Sequence, residues 1–180
     1  VKLGGERKIA TVFFSDVRGF TAFSEKNEPE RVVAMLNTIL SKQADIVKKY
    51  GGDIDKFVGD ELVALFQGDA MVYNAALCGI EIQNMMAALP NIHGEDIAVG
   101  IGINTGEMVM GAMGSEERMD FTVIGDEVNL GARLCSIAER GETLISEASM
   151  KYIQHNQSFI FCQHDLVKVK GKEKPVQVYS

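Results

Sequence analysis

Residues 9–14 (Ile9-Ala10-Thr11-Val12-Phe13-Phe14) lack the polar–apolar alternation that marks a strand with one wet face. A continuous run of this length suits a buried central strand, covered on both sides. It ends at Ser15-Asp16. The chain must then supply layers to cover a sheet, and the rest of its pattern does so. Residues 1–7 are polar and glycine-containing and read as a linker. Residues 19–23 read as a short helical turn. Pro29 opens a long helix, because proline is tolerated in a first turn. Val32, Leu36, Ile39, Leu40, Ile46, Val47 and Tyr50 keep the helical period until Gly51-Gly52 stops it. Residues 54–58 and 62–66 form a hairpin with Asp60 at its tip. Asp69 caps a second long helix, which Pro90 ends. Residues 97–103 form a strand, and Asn104-Thr105-Gly106-Glu107 turns into a further segment at 108–110. Residues 121–124 form another strand, broken by Gly125-Asp126, which supplies the N-cap of a helix carrying Val128, Leu130, Ala132, Leu134 and Ile137. A short strand at 143–145, a brief helix at 147–153 and a β pair near 159–169 and 176–179 complete the chain. The order β-α-ββ-α-β-β-α-β mixes hairpins with crossovers. It predicts an α+β sandwich with helices packed on a mainly antiparallel sheet.

The chain's 180 residues fit one domain with a sizeable core. A net charge of −7 gives no polybasic footprint for nucleic acid or an anionic membrane, so an anionic substrate needs local cations or bound metal. No apolar run approaches the roughly 20 residues of a membrane span, and no direct membrane contact is expected from this segment. The three cysteines, Cys78, Cys135 and Cys162, are widely spaced and read as reduced core fillers in a cytoplasmic setting. The chain starts at Val1. It is expected to be a piece of a longer protein with an upstream regulatory domain, and that protein could be membrane-attached.

Three groups of side chains bear on chemistry. Asp16 ends the buried strand and Asp60 tips the hairpin. If those strands are neighbours, the two carboxylates converge at one sheet end, the usual way to hold Mg²⁺ with few protein ligands. The Val17 carbonyl adds a third oxygen. Equally, Asp60 suits a turn and Asp16 a helix N-cap. Asn129 and Arg133 sit four apart on one helix face, an amide that orients an oxygen beside a permanent cation, or simply a solvated helix surface. Lys56, leading to Asp60, and Lys170, beside Gly171, are cations on a strand edge and a surface turn.

Taken in order, these pieces resemble the catalytic domain of class III nucleotidyl cyclases. The matching strings are Val12-Phe13-Phe14-Ser15-Asp16-Val17-Arg18-Gly19-Phe20-Thr21, Lys56-Phe57-Val58-Gly59-Asp60-Glu61, Gly102-Ile103-Asn104-Thr105-Gly106, the stretch 121–134 and Val169-Lys170-Gly171 onward to Pro175-Val176. The resemblance assigns residues 8–180 to that domain and is strongest toward bacterial-type adenylyl cyclases. It implies a ferredoxin-like, palm-type fold and a head-to-tail homodimer with two interfacial sites. In each site Asp16, Val17 and Asp60 of one subunit would hold two Mg²⁺ ions, with Mn²⁺ as a substitute. The other subunit would supply Lys56 and Thr122 for the base, Asn129 for the ribose, and Arg133 and Lys170 for phosphates. The implied reaction makes a 3′,5′-cyclic nucleotide and pyrophosphate.

The residues also bear on the base. Adenine offers an acceptor at N1 and a donor at its 6-amino group, and guanine the reverse. Lys56 can only donate, so it fits adenine N1, and Thr122 can accept from the 6-amino group. Guanylyl members of the family typically carry Glu at the Lys56 position. ATP is the expected substrate. The alternatives are guanylyl cyclase and a non-catalytic dimerisation or nucleotide-binding module. Tyr50-Gly51-Gly52-Asp53 superficially resembles the turn of diguanylate cyclases, but Asn129, Arg133 and the 56–60 block argue against that reading.

Overall fold

The computed structural model describes residues 4–89, 97–115, 117–163 and 178–179. Two long strands form its spine. β1 (Gly4–Arg18) and β4 (Ala98–Gly114) run antiparallel, in register from Gly4 opposite Ala112 to Arg18 opposite Ala98. Residues 4–7, expected to be linker, are therefore the opening of a central strand. β2 (Asp53–Val58) and β3 (Glu61–Phe66) form the expected hairpin, and β3 lies against β1. β5 (Met119–Ile124) folds back on the far end of β4. β6 (Thr143–Ser146) pairs with β4 in parallel, and β7 (Val178–Tyr179) pairs with β6. The sheet order is β2-β3-β1-β4-β6-β7, with β5 off that path, and among the described residues only the β4–β6 pairing is parallel.

Helices cover both faces, as an unalternating central strand demands. On one side Phe13, Leu62, Ala64, Phe66, Ile101 and Ile103 pack against α2 (Pro29–Lys49) and α3 (Met71–Ala88), with α1 (Phe20–Lys26) contributing Phe23. On the other side Val12, Phe14, Val63, Leu65, Met108 and Val123 pack against Val128 and Cys135 of α4 (Asp126–Ile137). A short α5 (Glu147–Ile153) follows β6 and is capped by the Ser146 hydroxyl, which accepts from the Ser149 amide.

Several local expectations change. Asn104-Thr105-Gly106-Glu107 is no turn; it continues β4 through the sheet centre. Asp69 does not cap α3, whose N-cap is Ala70. Gly125, at φ 139°, is the N-cap of α4, and Asp126 opens the helix, where its negative charge suits the positive end of the macrodipole. The helix ends at Ile137. Residues 159–163 form no strand beyond a single bridge from Gln163 to Tyr179; most of the expected closing β pair lies outside the described residues. Cys78 and Cys135 are buried, and burial pushes both thiols up to about 12, as inert fillers require, whereas Cys162 is exposed.

Candidate active site

The β1–β3 register sets Asp16 opposite Glu61, which brings Asp60, at the hairpin turn, beside Asp16. The strands are neighbours, and the two carboxylates converge. Both are half-buried. Asp16 Oδ1 is buried without any hydrogen-bond partner. Burial, followed by the adjacent Asp16 carboxylate, pushes the Asp60 carboxyl up to about 6. Burial also raises Glu61, with Asp16 and Asp60 adding to the effect. Carboxylates this close repel one another, and a proton or a cation between them relieves the repulsion. A divalent ion that takes few protein ligands fits the pair, and the orphaned Oδ1 is free to bind it. Among the described residues no trio of His, Cys, Asp or Glu converges on one point, so the two aspartates would share such an ion with substrate oxygens or water. Val17 follows Asp16 in the strand with its side chain buried.

One cation at this end was not foreseen. Arg18 shares a strand face with Asp16, two residues away. Its Nη1 lies 3.3 Å from Asp16 Oδ2, and its Nη2 donates to the carbonyls of Cys135 and, at 3.1 Å, Ala138. Those carbonyls close α4, where a cation complements the helix dipole. Arg18 thus ties the acidic pair to the C-terminal end of α4. The string quoted above already contains Arg18, and its spacing from Asp16 was the available signal.

Helix α4 is held elsewhere too. It crosses β4 at Gly102, where an added Cβ would stand 2.5 Å from the Gly131 carbonyl oxygen, and a Cβ on Gly131 would stand 2.7 Å from Val12 Cγ1. Bare backbone on both sides sets the helix directly on the sheet. At its N-terminal end Asn104 Nδ2 donates to the Glu127 carbonyl at 2.8 Å and to Glu127 Oε2 at 2.7 Å. Asn104 Oδ1 accepts from Ser146, and Ser146, Ser149, Thr105 and Thr11 continue a buried hydrogen-bonded chain into β1. From this anchored helix Asn129 and Arg133 project one turn apart and exposed. Neither side chain has a hydrogen-bond or ion-pair partner among the described residues.

Lys56 and Thr122 also meet. They stand on β2 and β5, which are not paired in the sheet, and Lys56 Nζ donates to Thr122 Oγ1 at 3.0 Å. The expected site residues therefore assemble as three pairs: two carboxylates, a cation with a hydroxyl, and an amide with a guanidinium. Among the described residues no hydrogen bond or ion pair links one pair to another. Lys170 lies outside the described residues.

Comparisons with known proteins identify the family and the fold. A family model, the adenylate and guanylate cyclase catalytic domain, matches residues 5–180. An adenylate cyclase of Dictyostelium discoideum, described as terminal-differentiation specific, is 34% identical over 181 residues, covering 96% of this chain and 8% of that protein. The crystal structure of the adenylyl cyclase CyaB from P. aeruginosa superposes with a TM-score of 0.89 at 38% identity, covering 98% of this chain and 95% of that one. The guanylyl cyclase Cya2 superposes with a TM-score of 0.90 at 35% identity, covering 98% and 93%. The chain thus spans a small part of the Dictyostelium relative and nearly all of the two solved chains. Among the described residues no helix is long and apolar enough to cross a membrane.

Proposed function

This chain belongs to the adenylate and guanylate cyclase catalytic domain family, and on that premise we propose that it is an adenylyl cyclase, converting ATP to 3′,5′-cyclic AMP and pyrophosphate at two equivalent sites of a head-to-tail homodimer. The observation that carries the choice of ATP is the Lys56–Thr122 contact. Shape does not choose, since an adenylyl and a guanylyl cyclase superpose equally well. Hydrogen-bond polarity does. An ammonium has only donors and fits adenine N1, while guanine presents N–H there and would leave two donors face to face. An unpaired buried polar edge costs about 1–3 kcal/mol.

Asp16 and Asp60, with the Val17 carbonyl, would hold two Mg²⁺ ions in each site, and Mn²⁺ would fit the same oxygens. Such ions, when bound, acidify the ribose 3′-hydroxyl and offset phosphate charge. The protein's own part is alignment. Asn129 from the partner protomer fixes the ribose so that its 3′-oxygen faces the α-phosphorus in line with the bridging oxygen. The new oxygen–phosphorus bond closes the ring as the bond to pyrophosphate breaks, and the hydroxyl proton passes to solvent. Arg133 neutralises the charge that grows on the α-phosphoryl and bridging oxygens. Lys170 adds a cation for the phosphates. Nucleophile and phosphorus already share one molecule, so orientation supplies much of the rate.

Guanylyl cyclase is the competing reading, favoured by one feature: the Thr122 hydroxyl donates as readily as it accepts. Incubating the purified protein with ATP or GTP, each with Mg²⁺ or Mn²⁺, and separating the products decides between them. The expected result is cyclic AMP in at least about tenfold excess over cyclic GMP. Equal or reversed yields refute the choice of ATP, and no cyclic product with either nucleotide refutes catalysis.

A further inference from the structure

Lys56 reaches Thr122 because its strand is irregular. Along β2, Asp53 faces Leu65 and Ile54 faces Ala64, but Lys56 then faces Val63, leaving Asp55 as an extra residue with no partner on β3. Without that bulge Lys56 would stand opposite Leu62, on the side packed against α2 and α3. With it, Lys56 shares the side of Val63 and Val123, where β5 lies. Bulges of this kind re-aim side chains beside functional sites. The extra residue is itself unusual. Neighbouring strand residues point to opposite faces, yet Asp55 Oδ2 lies 3.7 Å from Lys56 Nζ. The Asp55 side chain is only 2% exposed, and its Oδ2 accepts no hydrogen bond. Burial raises the Asp55 carboxyl, and Lys56 opposes that shift.

Donor accounting gives this carboxylate a task. An ammonium carries three protons that rotate together. One goes to Thr122 Oγ1, and the Asp55 carboxylate, 3.7 Å away, attracts the ammonium as an ion pair without accepting a hydrogen bond. Because the three rotate together, the bond to Thr122 fixes the directions of the others, which are available to an acceptor beside it. On Thr122, one lone pair is taken by Lys56, which leaves the other for an amino hydrogen. The arrangement fits a purine edge with an acceptor beside an amino group. We infer that Asp55 is a positioning residue for base selection: its buried carboxylate holds the Lys56 ammonium over Thr122, and the ammonium so held keeps its remaining protons directed at adenine N1. This inference rests on the adenylyl reading given above.

The isosteric Asp55→Asn change tests it, because the bulge and the side-chain volume stay and the negative charge goes. Calorimetric binding of non-cyclisable ATP and GTP analogues to the intact dimer is measured alongside steady-state kinetics. The expected outcome is about tenfold weaker ATP-analogue binding and a similar rise in KM, a much smaller change in kcat at saturation, and a falling ATP-over-GTP ratio. Lys56→Gln should lose the same discrimination, and the double variant should lose no more than Lys56→Gln alone. A merely structural role for Asp55 would lower the melting temperature and leave the ratio intact. Retention of the ratio in Asp55→Asn, with its loss in Lys56→Gln, overturns the inference while leaving the adenylyl reading in place. A wild-type protein that binds both analogues equally overturns that reading itself. If Asp55→Asn melts below the assay temperature, the smaller Asp55→Ser serves in its place with the same expected loss.

Discussion

Replacing Asp60 with asparagine should stabilise the metal-free protein while abolishing turnover. Asp60 has an ordinary carboxyl value of 3.8, raised to about 6 in the fold by burial and by Asp16. The folded state therefore holds a proton on this group more tightly than the unfolded chain does. The associated stability is fully present below about pH 4 and lost as pH rises through about 6. A rise of about 2 pH units corresponds at most to about 3 kcal/mol at neutral pH. Asp60 is half-exposed, and solvent screening reduces this to about 1 kcal/mol. Asparagine removes that repulsion, and its amide is expected to donate to the orphaned Asp16 Oδ1. Melting in chelator at pH 7.5 should rise by about 2–4 °C for a domain of this size. The gap between variant and wild type should shrink as pH falls from about 6 to about 4. Adding Mg²⁺ with a non-cyclisable ATP analogue should reverse the order, because only the wild type gains from the ion. A variant that melts below wild type in chelator at pH 7.5, or a gap indifferent to pH, would refute the reasoning.

Other expectations are simpler to state. Asp16→Ala and Arg133→Ala should each be inactive alone, and a mixture should recover activity through one intact site per heterodimer; heterodimers that form yet stay inactive would show that the site is not shared in this way. Lys56→Glu should lower kcat/KM for ATP by roughly 100-fold and admit GTP, measured by product chromatography, and an unchanged preference would place base reading elsewhere. Arg18→Gln should leave the Cys135 and Ala138 carbonyls without their charged donor and Asp16 without its counter-ion. A loss of about 2 kcal/mol follows, read as melting about 4–8 °C lower; an unchanged melting point would mean that water replaces the guanidinium.

What the sequence disclosed depended on how local each signal was. The central strand was legible because residues 9–14 run unbroken, and the hairpin because Gly59-Asp60 interrupts two strand-like runs. Asn104 and Thr105 misled because both favour turns. In the fold they are buried in β4, and their polar groups are met by Glu127, Ser146, Thr11 and Ser149, partners that no local window contains. The linker expectation for residues 4–7 failed likewise, since their pairing with β4 is set about a hundred residues downstream. Within the site, the paired aspartates, Lys56 with Thr122, and Asn129 with Arg133 were visible through motif strings. Arg18 and Asp55 stand in the same neighbourhoods but gain meaning only from tertiary structure: one from carbonyls 117 and 120 positions away, the other from a register slip between two strands.

The crossing of α4 over β4 at Gly102 and Gly131 leaves the helix no slack. Backbone rests on backbone, and polar latches secure both extremities, so its position within one protomer resists gradual adjustment. A tuning signal would have little purchase on so tightly seated an interior. In the proposed homodimer, a signal would then act by changing how two rigid bodies meet, opening or closing the seam between them.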